Sequence, residues 1–205
     1  MKKYVITFFS FSLMLFALVT FAAPQDIHCS CTVNQKEFAE FISQEKLDAR
    51  VQDLGRAIRI DYADRSPIFI GVLNGSFMFF ADLVRAAGVD CEIDFIQISS
   101  YGDHTKSSGT VRMSKDVSRS IAVRDIIIVE DIIDSGLSMD FIIKHITALN
   151  PASIKIATLL YKKDAIKIHV PVDYIGFEIA SDFVVGYGLD YAQKGRHLGA
   201  IYKAL

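Results

Sequence analysis

Apolar stretches alternate with amphipathic stretches along most of the chain. The short apolar runs are predicted β-strands, at residues 68–73, 125–130, 154–160 and 174–179. Apolar residues spaced three or four positions apart predict helices around them, within residues 47–58, 77–87 and 139–149. Strands that alternate with helices form a parallel sheet through right-handed crossovers, and ligands bind beyond the C-terminal ends of its strands. The pattern therefore predicts an α/β fold with a parallel sheet flanked by helices.

Two further segments differ from this pattern. In residues 89–95 apolar and acidic residues alternate strictly, which predicts a strand with one solvent-exposed face near an edge of the sheet. Residues 99–110 are polar, contain glycine and show no periodicity, so a mobile loop is expected there.

The N-terminus carries a feature that does not belong to the α/β pattern. Two lysines precede an uncharged, mostly apolar run at residues 4–23, which ends in small residues before Pro24. These properties are typical of a secretory signal, and the run is also long enough to span a bilayer. A mis-assigned start and a vestigial extension are the alternatives. We interpret residues 1–23 as a signal-like or membrane-anchor segment and residues 24–36 as a linker.

Composition and charge narrow the possible functions. The chain has 205 residues, enough for one domain with a full hydrophobic core, and 51% of its residues are hydrophobic. Its formal net charge is −2, and its lysines and arginines are scattered rather than collected in a basic stripe. Because nucleic-acid binding depends on such a stripe, small-molecule partners are favoured.

The segment 126–139, IIIVEDIIDSGLSM, places candidate chemistry at the end of a predicted buried strand. Glu130 and Asp131 would bring two carboxylates to the ligand-binding edge, where hard oxygens suit Mg²⁺ or ribose hydroxyls. Residues 134–138 precede a predicted helix, and its first N–H groups favour an anion. One glycine and two serines complete a predicted cradle for a monophosphate. The alternative, that Asp134 only caps the helix, does not account for the glycine and hydroxyls beside it.

The motif VEDIIDSG at residues 129–136 resembles the phosphoribosyl-diphosphate-binding motif of type I phosphoribosyltransferases. Four further parts of the chain resemble the hypoxanthine (hypoxanthine-guanine) phosphoribosyltransferases of that family: GVLNGSFMF, SSYG with SSG, KIATLLYK and GFEIASDFVVGYGLDY. The resemblance covers residues 37–205, the expected phosphoribosyltransferase domain. It implies a Rossmann-like parallel sheet flanked by helices, with a small hood built from the C-terminal segment and part of the N-terminus.

The resemblance also implies roles for individual residues. Asp134 would accept a proton at N7 of the purine, while Glu130 and Asp131 would hold the ribose hydroxyls and organise Mg²⁺. The other implied binding groups are Ser135, Gly136, Leu137 and Ser138 for the 5′-phosphate, Leu73, Asn74, Gly75 and Arg196 for pyrophosphate, and Lys162, Tyr174 and Ile175 for the purine. Ser99 and Tyr101 would belong to a loop that closes over the reacting carbon.

Within the purine-binding set, Lys162 would bond the 6-oxo group, Tyr174 would stack on the base, and the backbone of Ile175 would contact the base edge. Taken singly, Lys162 is ordinarily a solvated charge and Tyr174 ordinarily a core residue. Their joint occurrence at positions that match the family favours the functional interpretation.

Two positions depart from the family pattern. Asn74 stands where the family often has lysine, which changes little because backbone groups bind there. Ser181 stands where the family usually has an aspartate after GFEI, and Asp182 follows it. Neighbouring side chains of an extended segment point to opposite sides. We therefore expect Ser181 to face the second Mg²⁺ contact and Asp182 to point to solvent, with Asp182 as the alternative metal ligand.

The resemblance predicts a Mg²⁺-dependent enzyme of purine salvage. It would join hypoxanthine or guanine to phosphoribosyl diphosphate, forming IMP or GMP and pyrophosphate. The alternative is a regulator on the same fold that senses phosphoribosyl diphosphate and binds nucleic acid, and the missing basic stripe counts against it. A homodimer or homotetramer is expected. We favour a cytoplasmic location because phosphoribosyl diphosphate is a cytosolic metabolite in this family, with membrane contact by residues 4–23 as the alternative.

Overall fold

The computed structural model describes residues 30–100 and 111–205. Their strands are β1 Ser30–Val33, β2 Lys36–Ile42, β3 Ile68–Leu73, β4 Glu92–Ser100, β5 Val111–Lys115, β6 Asp125–Ile133, β7 Ser153–Tyr161, β8 Tyr174–Glu178, β9 Val184–Val185 and β10 Ile201–Ala204. Their α-helices are α1 Gln44–Asp61, α2 Phe77–Ala87 and α3 Leu137–Ala148. The strands form a six-stranded sheet in the order β5-β4-β3-β6-β7-β8 and a four-stranded sheet in the order β1-β2-β10-β9.

The six-stranded sheet is parallel except for β5, which pairs antiparallel with β4 at one edge. Its central strand β6 contains Ile126, Ile127 and Ile128, all fully buried. A strand buried on both faces is typical of a parallel sheet covered by helices on both sides. The predicted α/β fold with a parallel sheet is therefore confirmed.

Helices cover both faces of this sheet. Helix α1 begins after the N-cap residue Ser43 and buries the four residues predicted to form its apolar face, Leu47, Val51, Leu54 and Ile58. It packs against α2, where Gly55 lies so close to Ala86 that a Cβ at position 55 would be 2.5 Å from the Ala86 carbonyl carbon. On the opposite face, α3 buries Met139, Ile142 and Ile146. These two layers hold the strand ends of the sheet in fixed positions.

The four-stranded antiparallel sheet forms a small hood, as the resemblance implied. Strands β9 and β10 come from the C-terminal segment, and β1 and β2 come from the N-terminal part of the described chain. Phe38 is fully buried and packs with Val33 and Val185 in a separate small core. Strand β1 lies within residues 24–36, so the last part of the segment that we interpreted as a linker belongs to the hood.

The exposure pattern of β4 differs from the predicted one. The strand neighbours the edge strand β5, but Asp94 faces inward and is only 6% exposed, whereas Ile93 is 46% exposed. Asp94 tolerates burial because it accepts hydrogen bonds from the Phe95 and Ser118 N–H groups and from the ammonium of Lys115. The prediction that its acidic face is exposed to solvent was wrong at Asp94.

Two of the sequence predictions fall outside the described residues. The signal-like segment and the greater part of the expected mobile loop occupy residues 1–23 and 99–110, whereas the description begins at residue 30 and omits 101–110. None of the helices within residues 30–100 and 111–205 has the length and apolar character needed to cross a membrane.

Candidate active site

The C-terminal end of β6 carries two adjacent carboxylates. Burial raises the pKa of Glu130 well above its usual value, and the neighbouring Asp131 carboxylate raises it further. Burial also raises the pKa of Asp131, although a hydrogen bond with Glu130 and the Ile132 N–H act in the opposite direction. Within the part of the chain that the structure describes, the buried Glu130 Oε2 has no hydrogen-bond partner. Two carboxyl groups in this state are suited to receive a cation or hydroxyl donors.

The loop after β3 lies directly against Asp131. A Cβ on Gly75 would be 1.6 Å from Asp131 Oδ2, so only glycine allows the backbone to approach this closely. The peptide bond between Leu73 and Asn74 in the same loop is cis. The backbone of residues 73–75 and the acids of β6 therefore form one continuous surface.

A small cavity lies at the start of α3. The helix begins at Leu137, two residues before the predicted start, and follows Gly136, whose φ of +81° is a left-handed value that favours glycine. The cavity has a volume of about 90 Å³ and is lined by Glu130, Ile132, Ile133, Asp134, Ser135, Gly136, Ser138 and Met139. A helix N-terminus with two serine hydroxyls beside it is suited to one phosphate group.

Asp134 and Lys162 come together at the ends of the neighbouring strands β6 and β7. The Lys162 Nζ lies 2.8 Å from Asp134 Oδ2. The lysine side chain is 12% exposed, whereas that of the aspartate is 56% exposed. A cavity of about 290 Å³ opens here, lined by Asp131, Ile132, Asp134, Lys162, Phe183, Val184, Leu189 and Asp190. Apolar walls beside the contacting pair Asp134 and Lys162 suit a flat heteroaromatic ring that carries both a proton donor and an acceptor, and Asp131 and Asp190 are the two further acids of the cavity.

The hood contributes a loop at residues 186–190 to the same region. Gly188 lies over Gly75, since a Cβ at position 188 would be 2.1 Å from the Gly75 carbonyl oxygen. Arg196 donates to the Gly188 carbonyl (2.8 Å), and its guanidinium forms an ion pair with Asp190 (2.6 Å). The Arg196 charge also lowers the pKa of Asp131, against the larger effect of burial. Arg196 therefore lies close to both the hood loop and the acids of β6.

Comparisons with known proteins agree on one family. The family model of the phosphoribosyl transferase domain matches residues 40–192. The hypoxanthine-guanine phosphoribosyltransferase of Mycobacterium tuberculosis is 43% identical over 166 residues, covering 78% of this chain and 82% of that protein. The Bacillus subtilis enzyme of the same name is 45% identical over 157 residues, covering 77% and 87%. The chain belongs to the hypoxanthine-guanine phosphoribosyltransferase family.

Solved structures of the family have the same fold. A hypoxanthine-guanine phosphoribosyltransferase from Bacillus anthracis, with a HEPES molecule in its active site, superposes with a TM-score of 0.77 at 41% identity and covers 81% of this chain and 98% of that one. A hypoxanthine phosphoribosyltransferase from Staphylococcus aureus gives a TM-score of 0.77 at 34% identity, covering 81% and 90%. The predicted type I phosphoribosyltransferase fold and enzyme class are thus confirmed.

Tyr174 and Ile175 do not lie where the resemblance placed them. Tyr174 is the first residue of β8 and pairs with Ala157 in the middle of β7, so it lies about 13 Å from the C-terminal end of its strand. Its hydroxyl donates to Asp61 (2.5 Å), and its side chain is 6% exposed. The Ile175 carbonyl accepts a hydrogen bond from the Arg50 guanidinium (2.7 Å). The prediction of base stacking by Tyr174 and edge contact by Ile175 is therefore wrong for a base held at Asp134.

Phe183 and Val184, which the sequence analysis did not assign, line the cavity of Asp134 and Lys162 instead. Phe183 is 45% exposed although it is large and apolar. A signal for these residues was present in the sequence. Ligands bind after the C-terminal ends of parallel strands, so the residues after the GFEI strand were the better candidates than those that begin it.

Ser181 is placed differently from the expectation, whereas Asp182 points away from the site as expected. Ser181 is exposed and does not line the cavity, while Asp182 forms an ion pair with Lys203 at 3.1 Å. Asp182 therefore points to the hood surface rather than to the site, and Ser181 does not replace it there. The acids that line the cavity are Asp131, Asp134 and, from the hood, Asp190.

The remaining predicted residues differ in how far the structure describes them. Ser99 lies near the end of β4, and its backbone pairs with Arg112 of β5. Tyr101 lies outside the described residues. The other predicted groups, from the 73–75 loop to Arg196, surround the C-terminal edge of the sheet.

The acids at this edge fit a divalent cation that is bound partly by substrate. Glu130 and Asp131 supply carboxylate oxygens, one of them buried and unsatisfied. Across residues 30–100 and 111–205, no cluster of three or more histidine, cysteine or acidic side chains has the geometry of a complete metal site. Mg²⁺ commonly takes one or two carboxylates and completes its shell with phosphates and water. The donor set therefore agrees with a metal that binds together with phosphoribosyl diphosphate.

Proposed function

We propose that this protein transfers the phosphoribosyl group of phosphoribosyl diphosphate to hypoxanthine or guanine, forming IMP or GMP and releasing pyrophosphate. The observation that carries the proposal is the contact of Asp134 with Lys162 at the ligand edge, beside a cavity walled by Phe183 and Val184. Relatives at 43–45% identity carry the name hypoxanthine-guanine phosphoribosyltransferase, which supports the same substrates.

The 6-oxopurine binds in the cavity beside Asp134. Lys162 donates to the 6-oxo oxygen, and Phe183 packs on the face of the ring. N9 of the purine forms the new bond to C1′ while the bond from C1′ to the pyrophosphate oxygen breaks. The proton on N7 passes to the Asp134 carboxylate, which is half exposed and so accessible to the base.

The phosphoribosyl group is held by the elements around it. Glu130 and Asp131 accept hydrogen bonds from the ribose hydroxyls, and residues 135–138 surround the 5′-phosphate at the N-terminus of α3. The backbone of residues 73–75 and the guanidinium of Arg196 contact the pyrophosphate.

The reaction depends on Mg²⁺. When bound, the ion neutralises the charge that develops on the departing pyrophosphate. Asp131 and Asp190 would hold the ion, since they line the cavity together with Asp134, which takes the purine proton. Glu130 contacts Asp131 and lines the neighbouring cavity at the start of α3.

The same proposal covers assembly and location. We propose a homodimer or homotetramer and a cytoplasmic catalytic domain, since the family's substrate is a cytosolic metabolite. N-terminal sequencing of the native protein and cell fractionation test the location: a mature chain that begins near Pro24 outside the cytoplasm would contradict it. The nucleic-acid-binding regulator has no support from the relatives and is not proposed.

A single assay series tests the proposed function. The purified protein is incubated with phosphoribosyl diphosphate, Mg²⁺ and hypoxanthine, guanine or xanthine, and the nucleotide products are separated and quantified. We expect IMP or GMP to form with pyrophosphate in a 1:1 ratio, and EDTA to stop the reaction. Wild-type protein that forms neither nucleotide would refute the proposal.

A further inference from the structure

The hood loop at residues 186–190 contains a backbone outlier. Tyr187 has φ = +48°, a left-handed value that non-glycine residues seldom adopt, and it stands between Gly186 (φ = +100°) and Gly188 (φ = +101°). Its two neighbours have the residue type that this conformation favours, but Tyr187 does not. A side chain in such a conformation persists only when the surrounding structure holds it there.

The contacts of the Tyr187 side chain stabilise this backbone conformation. It is 3% exposed, and its hydroxyl donates to Asp82 Oδ2 at 2.6 Å. Burial and the hydrogen bond to Asp82 raise the pKa of Tyr187, so the phenol remains a donor. Asp82 also forms an ion pair with Arg85 on the surface of α2. The bond therefore joins the hood loop to α2, the helix that follows the loop at residues 73–75.

The position of this bond relates it to the site. On one side of Tyr187, Gly188 lies over the Gly75 carbonyl and accepts a hydrogen bond from Arg196. Three residues beyond Tyr187, Asp190 forms an ion pair with the same arginine. The guanidinium of Arg196 also donates to Gln193. Two of the three residues that it contacts, Gly188 and Asp190, thus belong to the loop that the phenol–carboxylate bond joins to α2.

We propose that Tyr187 is a positioning residue for the pyrophosphate and metal side of the reaction. Its hydrogen bond to Asp82 keeps the 186–190 loop in contact with Gly75, so that Asp190 and Arg196 face the acids of β6. This inference deepens the proposed function and rests on it. The purine pocket depends less on the bond: Leu189 and Asp190 of the loop line it, but Phe183 and Val184 precede the loop, and Val184 is held by the pairing of β9 with β10.

Loss of the bond should lower the fraction of molecules in which the 186–190 loop contacts Gly75. A ligand that binds only when the loop contacts Gly75 then loses apparent affinity in proportion to that fraction. Pyrophosphate and Mg²⁺ should be affected, whereas hypoxanthine should be affected little. A residue that only stabilised the core would instead lower the melting temperature without separating the two substrates.

The chain offers a matched control for this test. Tyr174 makes an equivalent bond, from its buried hydroxyl to Asp61 at 2.5 Å, at the opposite end of the six-stranded sheet. Tyr187→Phe and Tyr174→Phe each remove one such bond and keep the ring. Asp82→Asn retains an acceptor for the phenol, whereas Asp82→Leu removes it.

The experiment measures the reverse reaction of each variant, from IMP and pyrophosphate, together with KM for hypoxanthine in the forward reaction. We expect Tyr187→Phe and Asp82→Leu to raise KM for pyrophosphate and the Mg²⁺ requirement about tenfold, as for loss of a hydrogen bond to a charged group. KM for hypoxanthine should stay within about twofold, a change too small to indicate a lost contact. Tyr174→Phe and Asp82→Asn should keep the KM for pyrophosphate of the wild type. Equal rises in both KM values, or the same rise in Tyr174→Phe, would overturn the proposal.

A second measurement separates this inference from the proposed function. Amide hydrogen exchange of residues 186–190 reports loop opening without any catalysis. Exchange should be faster in Tyr187→Phe than in the wild type and in Tyr174→Phe. Unchanged exchange would overturn the positioning role even if the enzyme proved to act on other substrates. A wild-type protein with no pyrophosphate-dependent activity would refute the proposed function alone.

Discussion

The N-terminal and C-terminal ends of the strands in the six-stranded sheet differ in how their acidic residues are paired. At the N-terminal end, Glu92 forms ion pairs with Arg119 and Arg124, and Asp61 accepts a hydrogen bond from the Tyr174 hydroxyl. At the C-terminal end, burial raises the pKa of Glu130, one of whose oxygens has no partner within the described part of the chain. A polar group that the fold leaves unsatisfied is unfavourable unless a ligand completes it. The N-terminal end therefore keeps these charges in pairs that support the fold, whereas the C-terminal end keeps a buried carboxyl oxygen without a partner beside the pairs Asp134–Lys162 and Asp190–Arg196.

The largest expected effect comes from replacing one acid at each end of the sheet by asparagine. Asp134→Asn should lower kcat by about 10²- to 10⁴-fold while binding of phosphoribosyl diphosphate is retained, because the amide cannot accept the purine proton. Asp61→Asn, at the paired end, should lower the melting temperature and leave kcat unchanged. Steady-state kinetics and direct ligand titration measure both. Wild-type turnover in Asp134→Asn would remove the distinction between the two ends.

The next test compares an aromatic ring from each end. Phe183→Ala should raise KM for hypoxanthine about 10- to 100-fold, since stacking of a base on an aromatic ring contributes roughly 1–3 kcal/mol. Tyr174→Leu keeps apolar volume in the core but removes the ring and its hydroxyl, so it should reduce stability and leave this KM unchanged. The reverse result would reinstate Tyr174 as the purine contact.

A smaller effect is expected from the hood acids. Asp190→Asn should raise the Mg²⁺ concentration needed for half-maximal turnover by about three- to tenfold, because the ion keeps its other oxygen ligands. Asp182→Asn, which only disturbs the contact with Lys203, should leave this concentration unchanged. Titration of turnover with Mg²⁺ at fixed phosphoribosyl diphosphate measures the difference. A larger rise for Asp182→Asn than for Asp190→Asn would contradict the assignment.

The smallest effect concerns the stability of the ligand-free protein. The pKa of Glu130 is raised in the folded state, so the native protein binds more protons than the unfolded chain as pH rises above the usual glutamate pKa. The contribution of Glu130 to the free energy of unfolding therefore falls as pH rises from the usual glutamate pKa to the raised one. Glu130→Gln should raise the melting temperature at pH 8 by roughly 2–4 °C, the shift that about 1 kcal/mol gives at this size. The gain should shrink near pH 4. Calorimetry that shows a lower melting temperature at pH 8 would contradict the unfavourable burial.

Sequence patterns predicted the parts of the fold that are buried on both sides or along one helical face. Strand β6 contains an uninterrupted apolar run, and α1 buries the four residues spaced for its inner face. The hood strands are short and half exposed, and β9 has only two residues, so periodicity contains too little information to find them. Their position came from resemblance alone.

The same limit explains the errors at the site. Tyr174 and Phe183 are both aromatic residues near the GFEI segment, and local sequence places Phe183 after the predicted strand but does not show which of the two lines a cavity. The tertiary structure shows this, since β8 begins opposite Ala157 and ends opposite Tyr161, and the cavity is lined by Phe183. Asp190 was missed for a related reason: its approach to the site depends on a turn of left-handed residues that brings a distant hood loop onto Gly75.

The contact of Gly75 with Asp131 and Gly188 has a consequence for mutational tolerance. A single added methyl group at position 75 would lie 1.6 Å from the Asp131 carboxylate, and one at position 188 would lie 2.1 Å from the Gly75 carbonyl. In a saturation-mutagenesis screen, these two positions should reject even alanine. They would then rank beside Asp134 in selection, although neither contributes a side chain. A survey of variant fitness that searched only for reactive groups would overlook the residues that set how closely the two sheets approach each other.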